Sequence, residues 1–109
     1  MRLADKGCVP CQGGVPPMSL HEAWTKLTEV PGWELEDGGR RIQRRFTFHD
    51  FLTPWHFSDR IAELAETQGH HPDLCFGWGY CTVSLQTHDI NGLHENDFIM
   101  AAKTDRLAG

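Results

Sequence analysis

The stretch "DFLTPWHFSDRIAELAETQGHHPDL", residues 50–74, carries more of the fold than any other part of the chain. Phe57, Ile61, Leu64 and Ala65 recur along one helical face, while Asp59, Arg60, Glu63 and Glu66 fall mostly off that stripe. Asp50 is placed to cap the helix, and Pro54 falls in its first turn, where a missing N–H is tolerated. A long helix to about Gln68 follows. Gly69 supplies the residue that can turn left-handed past a helix C-terminus, and Pro72 drives His71 into an extended conformation. His70 and His71 are thereby expected just beyond a helix end, on backbone stiffened from both sides.

Working upstream, Ser19 and Glu22 of "SLHE" form a capping box. Leu20, Ala23, Trp24 and Leu27 continue at helical spacing to about Glu29, where "VPG" stops the helix. "WELEDGGRRIQRRFTFHD", residues 33–50, reads as a hairpin. Trp33 and Leu35 alternate with acidic residues, "DGG" supplies a positive-φ turn, and Ile42, Phe46 and Phe48 share parity on the return strand. Arg44 shares that parity, which is unusual for a core face and places it at an edge or an interface.

Downstream, residues 74–78 and 80–87 read as two further strands, with Cys81, Val83, Leu85 and Thr87 alternating with Thr82, Ser84, Gln86 and His88. After the loop "DINGL", Glu95 to Leu107 form a last helix, with Phe98, Ile99, Ala102 and Arg106 near one side. The order α-β-β-α-β-β-α predicts an α+β fold, a four-stranded antiparallel sheet with three helices on one face. Residues 1–18, rich in Gly and Pro, read as a flexible N-terminal arm, and residues 19–109 as a single domain.

The chain has 109 residues, 39% hydrophobic and 23% charged, which suits one small globular domain. A net charge of -5 argues against an electrostatic nucleic-acid binder, and the local cluster Arg40, Arg41, Arg44 and Arg45 fits a strand edge. Neither a signal-peptide pattern nor an apolar run long enough to span a membrane is present, so a cytoplasmic protein with reduced thiols is expected.

The seven histidines divide unequally. His21, His49, His56 and His94 fall in capping turns, at junctions or on a helix, and read as structural or surface residues. His70, His71 and His88 differ, because a helix end and a later strand end can meet at one rim of the sheet. Imidazole gains and loses protons near neutral pH, so such a cluster suits acid–base chemistry. Two rival readings stay open here: histidines that never meet, and a three-histidine zinc site. Adjacent histidines diverge, which weakens the second. Cys8 and Cys11 make a C-x-x-C, half of a metal or redox site whose other half is missing.

Glu66, His70-His71-Pro72, Trp78, His88 and Asp97 stand at the spacings of a known signature, and the chain resembles the pterin-4a-carbinolamine dehydratase family. The segments "RRFTFHDF", "RIAELAE" and "THDINGLHENDFIMAAK" also look like that family, so the resemblance spans roughly residues 19–105. It implies a hydro-lyase that dehydrates 4a-hydroxytetrahydropterin to quinonoid dihydropterin in tetrahydrobiopterin recycling, without cofactor or metal. His70, His71 and His88 would be catalytic. Gly69, Gln86, Thr87, Asp89, Asp97 and Trp78 would contact the pterin or border it, Asp97 by orienting a histidine or binding a ring nitrogen. The resemblance further implies a homo-tetramer or dimer, and an aromatic amino acid hydroxylase in the same pathway. It also carries an alternative, a non-enzymatic relative acting as an assembly or regulatory partner. Asn96 stands where some members carry arginine.

Overall fold

The computed structural model describes residues 2–10 and 13–109. Its regular elements are α1 (Leu20–Leu27), β1 (Glu34–Glu36), β2 (Arg41–Thr47), α2 (Leu52–Gln68), β3 (Asp73–Gly77), β4 (Tyr80–Leu85) and α3 (Glu95–Ala108). Three short 3-10 turns, at Leu3–Asp5, Asp37–Gly39 and His88–Ile90, complete it. The order is the expected α-β-β-α-β-β-α. The four strands form one antiparallel sheet in the order β1-β2-β4-β3.

Local sequence accounts for most of the element ends. The Ser19 hydroxyl accepts from the Glu22 amide at 3.1 Å while the Glu22 carboxylate accepts from the Ser19 amide at 2.9 Å, the capping box expected at α1. Asp37, Gly38 and Gly39 take positive φ between β1 and β2. Asp50 receives the Thr53 amide at 3.0 Å and the Thr53 hydroxyl at 2.9 Å, so it caps α2 from one residue before the helix boundary. Strands β3 and β4 are joined by a two-residue turn, Trp78–Gly79, and β4 ends at Leu85, two residues earlier than its alternation suggests.

Register places Ile42 opposite Leu85, Arg44 opposite Val83 and Phe46 opposite Cys81, all on one face. That face is buried under Ala23 of α1, Phe57, Ile61 and Ala65 of α2, and Phe98, Ile99 and Met100 of α3. Gln43, Arg45, Thr82 and Ser84 occupy the other face, which no helix covers among the described residues. Phe57 is fully buried and packs edge-on against Phe46 with ring centroids 4.9 Å apart. The helical stripe read from the sequence is the stripe that meets the sheet.

Arg44 is reconciled with its core-facing parity by α3. Its Nη1 donates to Asp105 at 2.9 Å, its guanidinium lies 4.4 Å from the Phe46 ring centroid, and the buried Trp33 donates Nε1–H to the same carboxylate at 3.0 Å. Burial pushes the Asp105 carboxyl above its usual range, against the pull of Trp33 and Arg44. Within the segment expected to be a flexible arm, residues 3–6 lie along α3: Leu3 is buried in the core, Ala4 accepts from Lys103 at 3.0 Å, and Lys6 meets Glu95 at 3.3 Å. Leu3 is a large apolar residue with a place in the core, and that anchors the polar contacts beside it. Cys8, Cys75 and Cys81 are free thiols, whereas Cys11 lies outside the described residues. Among the described residues no helix is long and apolar enough to cross a membrane.

Asp105→Ala leaves a buried indole N–H and a guanidinium without their acceptor, so unfolding in urea should show a loss of about 1–3 kcal/mol. Glu95 offers a pH-resolved counterpart. Its hydrogen bond from Lys26, helped by Lys6, holds its carboxyl below the usual range, so its contribution exists above the ordinary carboxylate pKa and is lost as pH falls through the lowered value. Glu95→Gln should therefore cost roughly 0.2–1 kcal/mol at neutral pH, with the gap to wild type closing in acid.

Candidate active site

At the end of α2, Gly69 adopts φ 68°, ψ 26°, and its N–H returns to the Ala65 carbonyl at 2.8 Å. The left-handed residue stops the helix and turns the chain through His70, whose N–H also reaches Ala65. Pro72 then leads directly into β3. On the neighbouring strand, β4 ends at Leu85, and residues 87–92 close into a tight loop. Thr87 N–H donates to the Gly92 carbonyl at 2.9 Å and Gly92 N–H returns to the Thr87 carbonyl at 3.3 Å. The 3-10 turn His88–Ile90 is the body of that loop, which holds His88 out on its rim, exposed.

These two chain reversals meet. Gly69, His70, His71, Gln86, Thr87, His88 and Asp89 line one cleft of about 200 Å3. The three histidines singled out from the sequence therefore share a single opening, together with four of the six residues expected to border a ligand. A larger hollow lies elsewhere, between Arg2, Leu3, Asp105 and Arg106, and contains no histidine.

The cleft is organised from behind by Asp97. This fully buried carboxylate accepts from His70 Nε2 at 2.6 Å on one oxygen. The other oxygen accepts from the Thr87 hydroxyl at 2.7 Å and from the His94 amide at 3.0 Å. The His94 bond is also half of the capping box that starts α3, whose other half is His94 Nδ1 accepting from the Asn96 amide at 3.0 Å. With Nε2 engaged by Asp97, Nδ1 is the His70 ring nitrogen without a side-chain hydrogen bond among the described residues. His71 points to a different carboxylate, its Nε2 lying 2.5 Å from Glu66 one turn back along α2. The adjacent rings diverge, each held by its own acid. His88 makes no side-chain hydrogen bond among the described residues.

Two expected site residues sit differently from the rest. Trp78 lies in the β3–β4 turn, 70% exposed, at the opposite end of that hairpin from the histidines; the strand between would span roughly 17 Å at the usual rise per residue. The structure does not bring it to the cleft. Thr87 lines the cleft but is buried, and its hydroxyl is spent on Asp97. Its part is to tie the His88 loop to the carboxylate. His94 reads from the sequence only as a structural or surface residue, and neither its cap on Asn96 nor the Thr87 bond has a sequence signal beyond an acid three residues into a helix. Among the described residues, no three of His, Cys, Asp and Glu converge as ligands for a metal ion.

The family model described as pterin 4 alpha carbinolamine dehydratase matches residues 16–107. A Methylococcus capsulatus protein, provisionally named a pterin-4-alpha-carbinolamine dehydratase, is 55% identical over 97% of this chain and 93% of its own. One from Aromatoleum aromaticum with the same provisional name is 58% identical over 97% and 95%. Among solved structures, a transcriptional coactivator/pterin dehydratase from Brucella melitensis superposes with a TM-score of 0.79 at 35% identity, covering 85% of this chain and 99% of that one. A pterin dehydratase-like protein identified as a RuBisCO assembly factor in the alpha-carboxysome gives a TM-score of 0.62 at 29% identity, covering 72% and 90%.

Gly69 isolates one backbone effect. A Cβ added there meets nothing within 4 Å, so Gly69→Ala should cost only the left-handed penalty, about 1–2 kcal/mol in chemical denaturation.

Proposed function

Because the chain belongs to the pterin-4a-carbinolamine dehydratase family, we propose that it is a hydro-lyase converting 4a-hydroxytetrahydropterins to quinonoid dihydropterins. The observation that carries this reading is the convergence of His70, His71 and His88 on one cleft, two of them tethered to separate carboxylates.

The reaction removes water across C4a and N5. A proton is delivered to the departing 4a-hydroxyl as the C4a–O bond breaks, and the N5 proton is taken by a base. The N–H electron pair becomes the second bond of C4a=N5. No net proton is consumed, so groups that can both give and take a proton near neutral pH suffice. His70, fixed through Nε2, presents Nδ1 in a constant direction. His71 meets Glu66 in an exposed pair, and His88 supplies a third imidazole at the same opening. The flat pterin also needs partners for its amide and amino groups. Gln86 carries both a donor and an acceptor at the cleft wall, and Asp89 a carboxylate for N–H donors. The Gly69 backbone borders the same space. Asp97 is assigned to orienting His70, since both of its oxygens are already engaged.

In this reading the protein works in the cytoplasm, as a dimer or tetramer, recycling the tetrahydrobiopterin cofactor of an aromatic amino acid hydroxylase. A second reading draws support from the RuBisCO assembly factor among its structural neighbours: a partner protein in which the cleft is idle.

One assay separates the two. Purified wild type should accelerate quinonoid dihydropterin formation from 4a-hydroxytetrahydropterin, and His70→Ala and His88→Ala should each lower kcat on the order of a hundredfold or more. No acceleration by wild type, with a protein recovered by pull-down, would select the second reading.

A further inference from the structure

The N-terminal segment passes directly behind the His70–Asp97 pair. After Lys6 the chain crosses the gap between the last residues of α2 and the first of α3, and it bonds to both sides. Cys8 N–H donates to Gln68 Oε1 at 2.9 Å; Gln68 is the last residue of α2, two before His70. Val9 N–H donates to Asn96 Oδ1 at 3.0 Å, and Asn96 Nδ2 returns to the Val9 carbonyl at 2.6 Å. The Cys8 thiol adds a contact to the Asn96 carbonyl at 3.7 Å. Asn96 is 1% exposed and adjoins Asp97, the residue that holds His70.

The dehydratase chemistry uses none of these groups. A side-chain amide presenting donor and acceptor to the N–H and C=O of one residue reproduces the pairing of an adjacent β-strand, and burial makes each unmet polar atom costly. Gln68 and Asn96 flank the His70–Asp97 hydrogen bond, Gln68 two residues before His70 and Asn96 one before Asp97. A short peptide bonded to both fixes their separation. Burial pushes the Cys8 thiol up to about 11, so at neutral pH it is a protonated packing group within the strap.

We propose that Asn96 is a positioning residue, which with Gln68 uses residues 8 and 9 as a strap to hold His70 on Asp97. The proposal rests on the dehydratase reading for its kinetic consequence and on geometry alone for its structural one. It also gives position 96 a task that arginine, having no acceptor, could not perform in this form.

Val9→Pro tests it, since the substitution deletes the N–H given to Asn96 while changing a side chain that is 57% exposed. Two readouts are taken on the full chain. The first is kcat and KM for 4a-hydroxytetrahydropterin; the second is the His70 Nε2–H proton resonance in the ligand-free protein. In Val9→Pro and in Asn96→Ala, kcat should fall on the order of ten- to a hundredfold with KM within about twofold, and the resonance should broaden or disappear. Val9→Ala, which keeps the amide, should restore wild-type values for both. A resonance that survives Val9→Pro in a folded protein overturns the strap, as does a loss of thermal stability with the resonance intact. Should Val9→Pro fail to fold, Gln68→Ala applies the same two readouts from the other wall. A wild type without activity overturns the dehydratase reading instead, and the resonance then decides the strap by itself.

Discussion

The Asp97 carboxylate is the point on which the site depends. It is removed from water, and it takes hydrogen bonds from the turn after α2, the loop after β4 and the cap of its own helix, α3. A buried carboxylate is tolerable only with such partners, because desolvation without them is far more costly than any single bond returns. The requirement works in both directions. Asp97 needs the three donors, and the donors, so bound, place His70 and the His88 loop against one cleft. Losing one donor would leave the others holding a misaligned acid.

The fold supports this arrangement without contributing chemistry. Its sheet buries one face under the helices, and the apolar stripe of α2 fixes the rotation of that helix on the sheet. Once the stripe is seated, Gly69 must fall at the rim where β4 ends. The left-handed turn then spends no extra residues before Pro72 and β3. Adjacent histidines at such a corner point apart, and each finds an acid: Asp97 from a distant helix, Glu66 from the preceding turn of its own. The two rings are thereby held by separate carboxylates.

Residues 3–9 show how an apparently loose segment becomes part of the structure. Gly and Pro content suggested a flexible arm, and composition of that kind does lower intrinsic order. Leu3 in the core and Asn96 at the far end reverse the outcome over residues 3–9, because each provides a partner unavailable in the local sequence. Arg44 is a parallel case. Its parity pointed inward, which looked anomalous until Asp105 of α3 and the ring of Phe46 supplied an acceptor and a surface.

The sequence by itself determined the elements and several of their ends: the capping box at Ser19, the DGG turn, the α2 stripe, the Gly69 stop and the three histidines worth watching. These follow from interactions within a few residues, where spacing is geometry. Tertiary structure decided which acid serves which histidine, that the Thr87 hydroxyl faces Asp97, that Trp78 stands exposed at the far turn, and that the N-terminal segment lies behind the site. Those outcomes depend on where separate elements come to rest against each other, and the period of a helix or strand carries no record of its neighbour's position.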